Sequence, residues 1–366
     1  MNAAEADERW RSARRVLLVR LDNLGDVLMT TPAFAAVRES LQQAHLALLA
    51  APASQALLPH LPMLDEVIAF HAPWVKAGAA ALDGQPVGEA ERALLQRLQE
   101  ARFDAAIIFT VCTQSALPAA LLCRMAGIPL VLAHVRERAY GLLSDEVRDD
   151  DRIRVGMRHE VQRQLDLVAQ VGLRTRDERL RFELRDADRA AARQVLHTAG
   201  VADGAPYVLL HPGASAASRR YPAEDFGAAA ELLQRSGARV LLCAGPAEGE
   251  LLQQACRAMR APCTVLPPPA SLGELAALVA GARVLVANNS GPVHLAAAVG
   301  TPVVDLYALT NPQHTPWQVP ARVLNHDVPC RNCQRSVCDQ PGHGCLRGVA
   351  PQAVADAARA LMQEMA

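Results

Sequence analysis

Short apolar runs of Val, Ile, Leu and Ala alternate along this chain with longer amphipathic stretches of Ala, Leu and Arg. The runs predict strands at Arg15–Arg20, Leu46–Ala50, Glu66–Phe70, Ala105–Phe109 and Leu130–Ala133 in the first half. In the second half they predict strands at Tyr207–His211, Ala238–Cys243, Thr264–Leu266, Val284–Ala287 and Val303–Leu306. Unbroken apolar character suits strands buried on both faces, as in parallel sheets covered by helices. The amphipathic stretches predict helices at Pro32–Leu41, Glu89–Ala101, Ser115–Ala126, Ala223–Ser236, Glu248–Arg260, Leu272–Ala280 and Val293–Val299. Strand–helix–strand repetition on this scale belongs to the α/β class.

The two halves read as separable. Asp149 to Asp188 is dense in charge and lacks a strongly apolar strand pattern, so it reads as a surface helix plus linker. The expected division is a tail over 1–14, a first α/β domain over 15–178, a linker and helix over 179–205, and a second α/β domain over 206–349. The segment 350–366 closes the chain with one amphipathic helix, Pro351 to Met365. Two such domains facing a cleft would bring the C-terminal ends of both sheets to it, where open parallel sheets bind ligands.

Composition narrows the function classes. With 366 residues, 51% hydrophobic and 20% charged, the chain can fill a core, which excludes disorder and a disulfide-stapled mini-fold. A net charge of −1 and 4% aromatic residues give neither a general attraction to nucleic acid nor a base-stacking surface, so no nucleic-acid partner is expected. Of 37 basic residues all but Lys76 are Arg, so a cation site must use the planar guanidinium fork. Met1 to Arg15 is polar, the run Val16–Val19 is short, and Ser115 to Val135 is broken by Arg124 and Pro129; no export signal or membrane span is expected. The expected location is cytoplasmic, with the nine cysteines as reduced thiols or metal ligands rather than disulfides.

Three loops that follow predicted strands carry candidate chemistry. In Arg20-Leu21-Asp22-Asn23-Leu24-Gly25-Asp26, Asp26 sits at the turn into the first helix, where the dipole favours its ionised form. It reads as a general base or as a plain helix N-terminal charge. In His211-Pro212-Gly213-Ala214-Ser215, with Arg219 and Arg220 just beyond, backbone N–H groups and two guanidinium forks suit phosphate oxygens; the bland reading is a solvated βα loop. In Asn288-Asn289-Ser290-Gly291-Pro292-Val293-His294, polar groups precede a helix start suited to an anion or to sugar hydroxyls, and His294 reads as ligand contact or structural histidine. No G-x-G-x-x-G dinucleotide fingerprint is present.

These loops together resemble the ADP-heptose:lipopolysaccharide heptosyltransferases of glycosyltransferase family 9. The resemblance rests on Leu24-Gly25-Asp26 with Thr31-Pro32, His211 to Ser215 with Arg219 to Pro222, Ser271-Leu272 to Ala282, and Ser290-Gly291-Pro292-Val293-His294-Leu295. It implies a GT-B fold, two Rossmann-like domains whose parallel sheets face a central cleft, and an inverting transfer from an ADP-sugar to a lipopolysaccharide-core or other surface-glycan acceptor. Asp26 becomes the catalytic base. Arg20, Gly25 and Thr30 fall on the acceptor side; His211, Gly213, Ser215, Arg219, Arg220, Gly245, Glu248, Leu272, Asn289, Ser290, Gly291 and His294 fall on the donor side. No cofactor is needed for the chemistry, and a lipid-linked acceptor implies peripheral contact with the cytosolic face of the inner membrane. The chain departs from the family's pattern twice: Arg219-Arg220 stands where the family has Lys before Trp-Pro, and Asn289 replaces an acidic residue. Another nucleotide sugar and acceptor, or a non-catalytic sugar-nucleotide-binding paralogue, are the alternatives.

Four cysteines cluster as Cys330-x2-Cys333-x4-Cys338-x6-Cys345, within a Cys-rich loop over 328–346 that also holds His343. Four thiolates can complete a tetrahedral structural site; zinc and iron both remain open, as do free thiols or a disulfide loop. Cys112, Cys123, Cys243, Cys256 and Cys263 read as small core residues.

Overall fold

The computed structural model describes residues 8–75, 86–154 and 156–365, so Lys76 and the first half of the predicted tail lie outside the described residues. The chain divides into two compact units, Met1–Arg152 with Arg158–Arg181, and Ile153–Met157 with Phe182–Ala366.

The first unit holds a six-stranded sheet: β1 (Arg15–Arg20), β2 (His45–Ala50), β3 (Glu66–Ala69), β4 (Ala105–Ile108), β5 (Leu130–Val135) and β6 (Asp145–Arg148). Every pairing is parallel, in the order β3-β2-β1-β4-β5-β6. This is the Rossmann order, which reverses direction between β1 and β4 and opens a crevice there at the strand C-termini. The edge strand β6 is missing from the sequence reading because Asp145-Glu146-Val147-Arg148 alternates half-buried and exposed residues instead of forming an apolar run.

Helices α1 (Leu24–Ser40), α2 (Glu89–Ala101), α3 (Leu117–Met125) and α4 (Glu160–Ala169) cover this sheet. α1 begins eight residues before the predicted Pro32 start, with Pro32 in its interior. Proline there removes the N–H that would bond the Leu28 carbonyl. The neighbouring Thr31 hydroxyl donates to that carbonyl instead, at 2.6 Å, and accepts the Arg181 N–H at 2.9 Å. The charge-dense segment read as surface holds α4, which buries Glu160, Val161, Arg163, Gln164, Leu165, Leu167 and Val168 and packs against α1.

The second unit carries β7 (Val208–His211), β8 (Val240–Leu242), β9 (Val284–Asn288), β10 (Val303–Leu306) and β11 (Ala321–Leu324), all parallel, in the order β11-β10-β9-β7-β8. The predicted strand Thr264–Leu266 is reduced to one parallel bridge, Leu242 to Val265, outside β8. Counting it as a strand, the unit repeats the order of the first, with its reversal between β7 and β9. Helices α5 (Asp186–Thr198), α8 (Leu272–Gly281) and α9 (Gly291–Val299) cover one face. α6 (Ala223–Arg235), α7 (Gly249–Arg257), the short α10 (Gly344–Arg347) and α11 (Pro351–Glu364) cover the other. Cys256 and Cys263 are half-buried and joined in a disulfide, Cα atoms 5.5 Å apart, which corrects the expectation of two core thiols. The turn after α7 brings the chain back on itself within disulfide reach. Cys112, Cys123 and Cys243 are buried free thiols.

Candidate functional site

In the first unit, the loop after β1 opens at the switch point. Asn23 precedes α1, and its N–H donates to Asp26 Oδ2 at 3.2 Å, pinning the carboxylate over the first helical turn. Arg20, fully buried at the end of β1, lies among three carboxylates: its Nε is 3.1 Å from Asp22 Oδ2, and its Nη2 is 2.9 Å from Glu160 Oε1 and 3.6 Å from Asp26 Oδ1. Burial opposes the charge on Arg20, but Asp22, Glu160 and Asp26 together outweigh it and hold the guanidinium more firmly protonated than usual. One cation facing three acids leaves an acidic surplus, and burial pushes Asp22 up to about 6, with Arg20 opposing and Asp26 adding to the shift.

Two of the residues read as acceptor-side are fully buried. Arg20 has no exposed surface and lies where it can organise the three carboxylates. Thr30 is equally buried and donates to the Asp26 carbonyl at 2.8 Å. Gly25 is half-buried beside Asp26. Glu160 was missed because it starts a helix that reads as surface. Gln114 in the loop after β4 donates to Asp22 Oδ1 at 2.5 Å and lines a cavity of about 230 Å³ with Leu21, Trp74, Thr110, Thr113 and Ser115.

In the second unit, the loops after β7 and β9 meet at the corresponding switch point. Asn288 stitches them: its Nδ2 donates to the Pro212 carbonyl at 2.7 Å, and its Oδ1 accepts the Tyr221 N–H at 2.8 Å. Ser290 Oγ lies 3.1 Å from the Asn288 carbonyl and 3.4 Å from that of Gly213. Gly213 lets Glu248 reach the loop, since a Cβ there would fall 2.0 Å from Glu248 Oε2 and displace that carboxylate. The same oxygen accepts the Gly245 N–H at 3.0 Å. Burial lowers the pKa of His211 and favours its neutral ring, with Glu248 opposing.

His211, Gly213, Gly245, Glu248 and Ser290 therefore converge. Arg220 folds back, its Nε donating to the Ala214 carbonyl at 2.7 Å, while Arg219 makes no ion pair among the described residues. Ser215 is exposed on the same loop. Gly291 opens α9, and His294 is buried in its first turn, its ring 6.5 Å from that of His314. Asn289 is held by Asp305 and the His314 carbonyl. Leu272 starts α8 and makes none of the bonds that join the other loops.

Cys330, Cys333, Cys338, Cys345 and His343 line one cavity of about 270 Å³. Among the described residues no three His, Cys, Asp or Glu side chains converge closely enough to hold a metal ion, so the four-thiolate site is not assembled here. The loop instead docks on the turn that presents Arg219. Ser218 donates from its N–H to the Ser336 carbonyl (3.1 Å) and from Oγ to that of Arg335 (2.6 Å), and its own carbonyl lies 2.8 Å from His343 Nε2. Sequence reasoning saw the cysteines but not this docking, which depends on a backbone turn.

The profile of glycosyltransferase family 9 (heptosyltransferase) matches residues 91–343. Lipopolysaccharide heptosyltransferase 2 of Salmonella typhimurium is 25% identical over 96% of this chain and 99% of its own length. A glycosyl transferase family 9 structure from Veillonella parvula superposes with a TM-score of 0.76 at 22% identity, covering 96% of this chain and 98% of that one. The E. coli ADP-heptose lps heptosyltransferase II structure gives 0.72 at 24% identity, covering 96% and 100%. Two parallel-sheet α/β units of this kind are the GT-B architecture. The family profile spans most of the chain, including the loops after β7 and β9, and the chain belongs to glycosyltransferase family 9, a family of sugar-transferring enzymes.

Proposed function

We propose that this enzyme transfers a heptose from an ADP-linked donor to a hydroxyl of the lipopolysaccharide core, with inversion at the anomeric carbon. The observation that carries the reading is Asp26, pinned over the first turn of α1 beside a protonated Arg20. In the step, the Asp26 carboxylate takes the proton of the acceptor hydroxyl, and the hydroxyl oxygen forms the new bond to the anomeric carbon. The bond from that carbon to the diphosphate oxygen breaks, and ADP leaves with the electron pair. Its charge calls for fixed cations and dipoles: Arg219, the Gly213 backbone and the N-terminus of α9 supply them. The cavity beside Gln114 is suited to part of the acceptor.

Arg in place of Lys fits this reading, since its fork can bind phosphate oxygens bidentately. Among the described residues no helix is long and apolar enough to cross a membrane. Asn289 favours a second reading, a related sugar with a different hydroxyl pattern, because a neutral amide selects hydroxyls differently from a carboxylate. Incubation with a panel of nucleotide sugars and a lipopolysaccharide acceptor, with ADP release as the signal, tests both. ADP release dependent on ADP-heptose and acceptor supports the first reading, release from another sugar the second, and none from any donor removes both.

A further inference from the structure

Asn289 follows β9 directly, and Ser290 alone separates it from α9. Its amide nitrogen has two hydrogens, and both are spent inside the protein: on Asp305 Oδ2 at 3.0 Å and on the His314 carbonyl at 2.8 Å. Its Oδ1 accepts no hydrogen bond among the described residues, yet it is not among their fully buried orphan atoms, so it keeps access to solvent. Turning the amide over would set Oδ1 against the His314 carbonyl, an unfavourable acceptor–acceptor contact. The side chain therefore leaves an uncharged acceptor without a protein donor among the described residues.

Asp305 makes this orientation possible. It lies in one register row with Ala287 and His211 across β10, β9 and β7, so Asp305 and His211 point to the same face with only a methyl group between them. Asp305 is fully buried, makes no ion pair among the described residues, and its Oδ1 has no partner. Burial raises its pKa well above the usual carboxylate range, against the Asn289 hydrogen bond, and so favours the neutral acid.

We infer that Asp305 is a positioning residue that fixes the Asn289 amide as a neutral acceptor for a hydroxyl of the transferred sugar. The inference rests on the nucleotide-sugar reading above and deepens it. A carboxylate at 289 would accept the same hydroxyl but repel the adjacent diphosphate; the oriented amide accepts without that charge. Asp305 acts only through Asn289, so its loss should change sugar recognition and leave nucleotide recognition alone.

The test titrates ADP and ADP-heptose separately. Asn289→Ala and Asp305→Val should each weaken ADP-heptose about tenfold and leave ADP within about twofold, the double variant should lose no more than either single one, and Asp305→Asn, which keeps a neutral acceptor, should bind both ligands as wild type does. If Asp305→Val does not fold, Asn289→Ala and Asp305→Asn still decide: undiminished ADP-heptose binding by Asn289→Ala, or a tenfold loss in Asp305→Asn, overturns the inference. Additive losses in the double variant, or equal losses for ADP, do so as well. Wild-type protein that binds ADP but not ADP-heptose instead sinks the heptosyl reading itself, and this inference with it.

Discussion

Arg20 and Glu160 form an ion pair with 2.9 Å between Nη2 and Oε1, and neither side chain has any exposed surface. The pair joins the end of β1 to the start of α4, 140 residues apart in sequence. Gln164 reinforces it, its Nε2 donating to Glu160 Oε1 at 2.7 Å and to the Thr110 carbonyl at 3.0 Å. A buried pair of this kind contributes little net stability against an apolar replacement, but it is costly to break from one side. Its use here is to hold a cation beneath Asp22 and Asp26.

Replacing Arg20 with Met would leave three carboxylates facing one another. The expected loss is about 3–5 kcal/mol of folding stability. Urea unfolding at pH 7 measures it, and a loss under about 1 kcal/mol would show that the carboxylates relax apart without their cation.

Asp22 gives stability a pH dependence of defined sign. Its folded pKa, about 6, lies above the ordinary 3.8, so the folded state holds the proton more tightly. Its stabilising contribution is complete below pH 3.8 and is lost as pH rises through 6. Asp22→Asn should therefore gain on wild type between pH 4 and pH 7, by on the order of 3 kcal/mol. Parallel unfolding curves for the two proteins across that range would contradict the assignment.

Asp26→Asn keeps the shape of the side chain and removes the base. Turnover is expected to fall roughly 10²–10⁴-fold while ADP affinity is retained. Near-normal turnover would assign deprotonation to another group.

Arg219→Ala should weaken ADP by about 1.5–3 kcal/mol, the range for a charged hydrogen bond, and leave adenosine unchanged. Calorimetric titration separates the ligands, and equal losses for both would move the diphosphate elsewhere.

Ser218→Ala removes the hydroxyl that bonds the Arg335 carbonyl and so loosens the Cys-rich loop from the Arg219 turn. Alkylation of Cys333 and Cys338 should become faster, and ADP affinity should drop in step. Faster alkylation with unchanged ADP affinity would mean that the loop does not steady the turn.

Much of this protein is local enough to be read from the order of its residues. Strands buried on both faces of a parallel sheet are predominantly apolar, so β1, β2, β7 and β10 stand out as runs, and glycine and polar residues after them mark the candidate ligand loops. The motifs around Asp26, His211–Ser215 and Ser290–His294 are contiguous for that reason. Edge strands β6 and β11 escaped, because they need not be buried on both faces. The start of α1 escaped because Thr31 repairs the break that Pro32 makes alone. The partners of the motifs lay beyond reach altogether. Glu160 comes to Arg20, Asn288 to Pro212, and Asp305 to Asn289 only when strands distant in sequence become neighbours in a sheet and a helix closes over them. A carboxylate's burial, and with it the proton it keeps, is a property of those neighbours and not of its place in the chain.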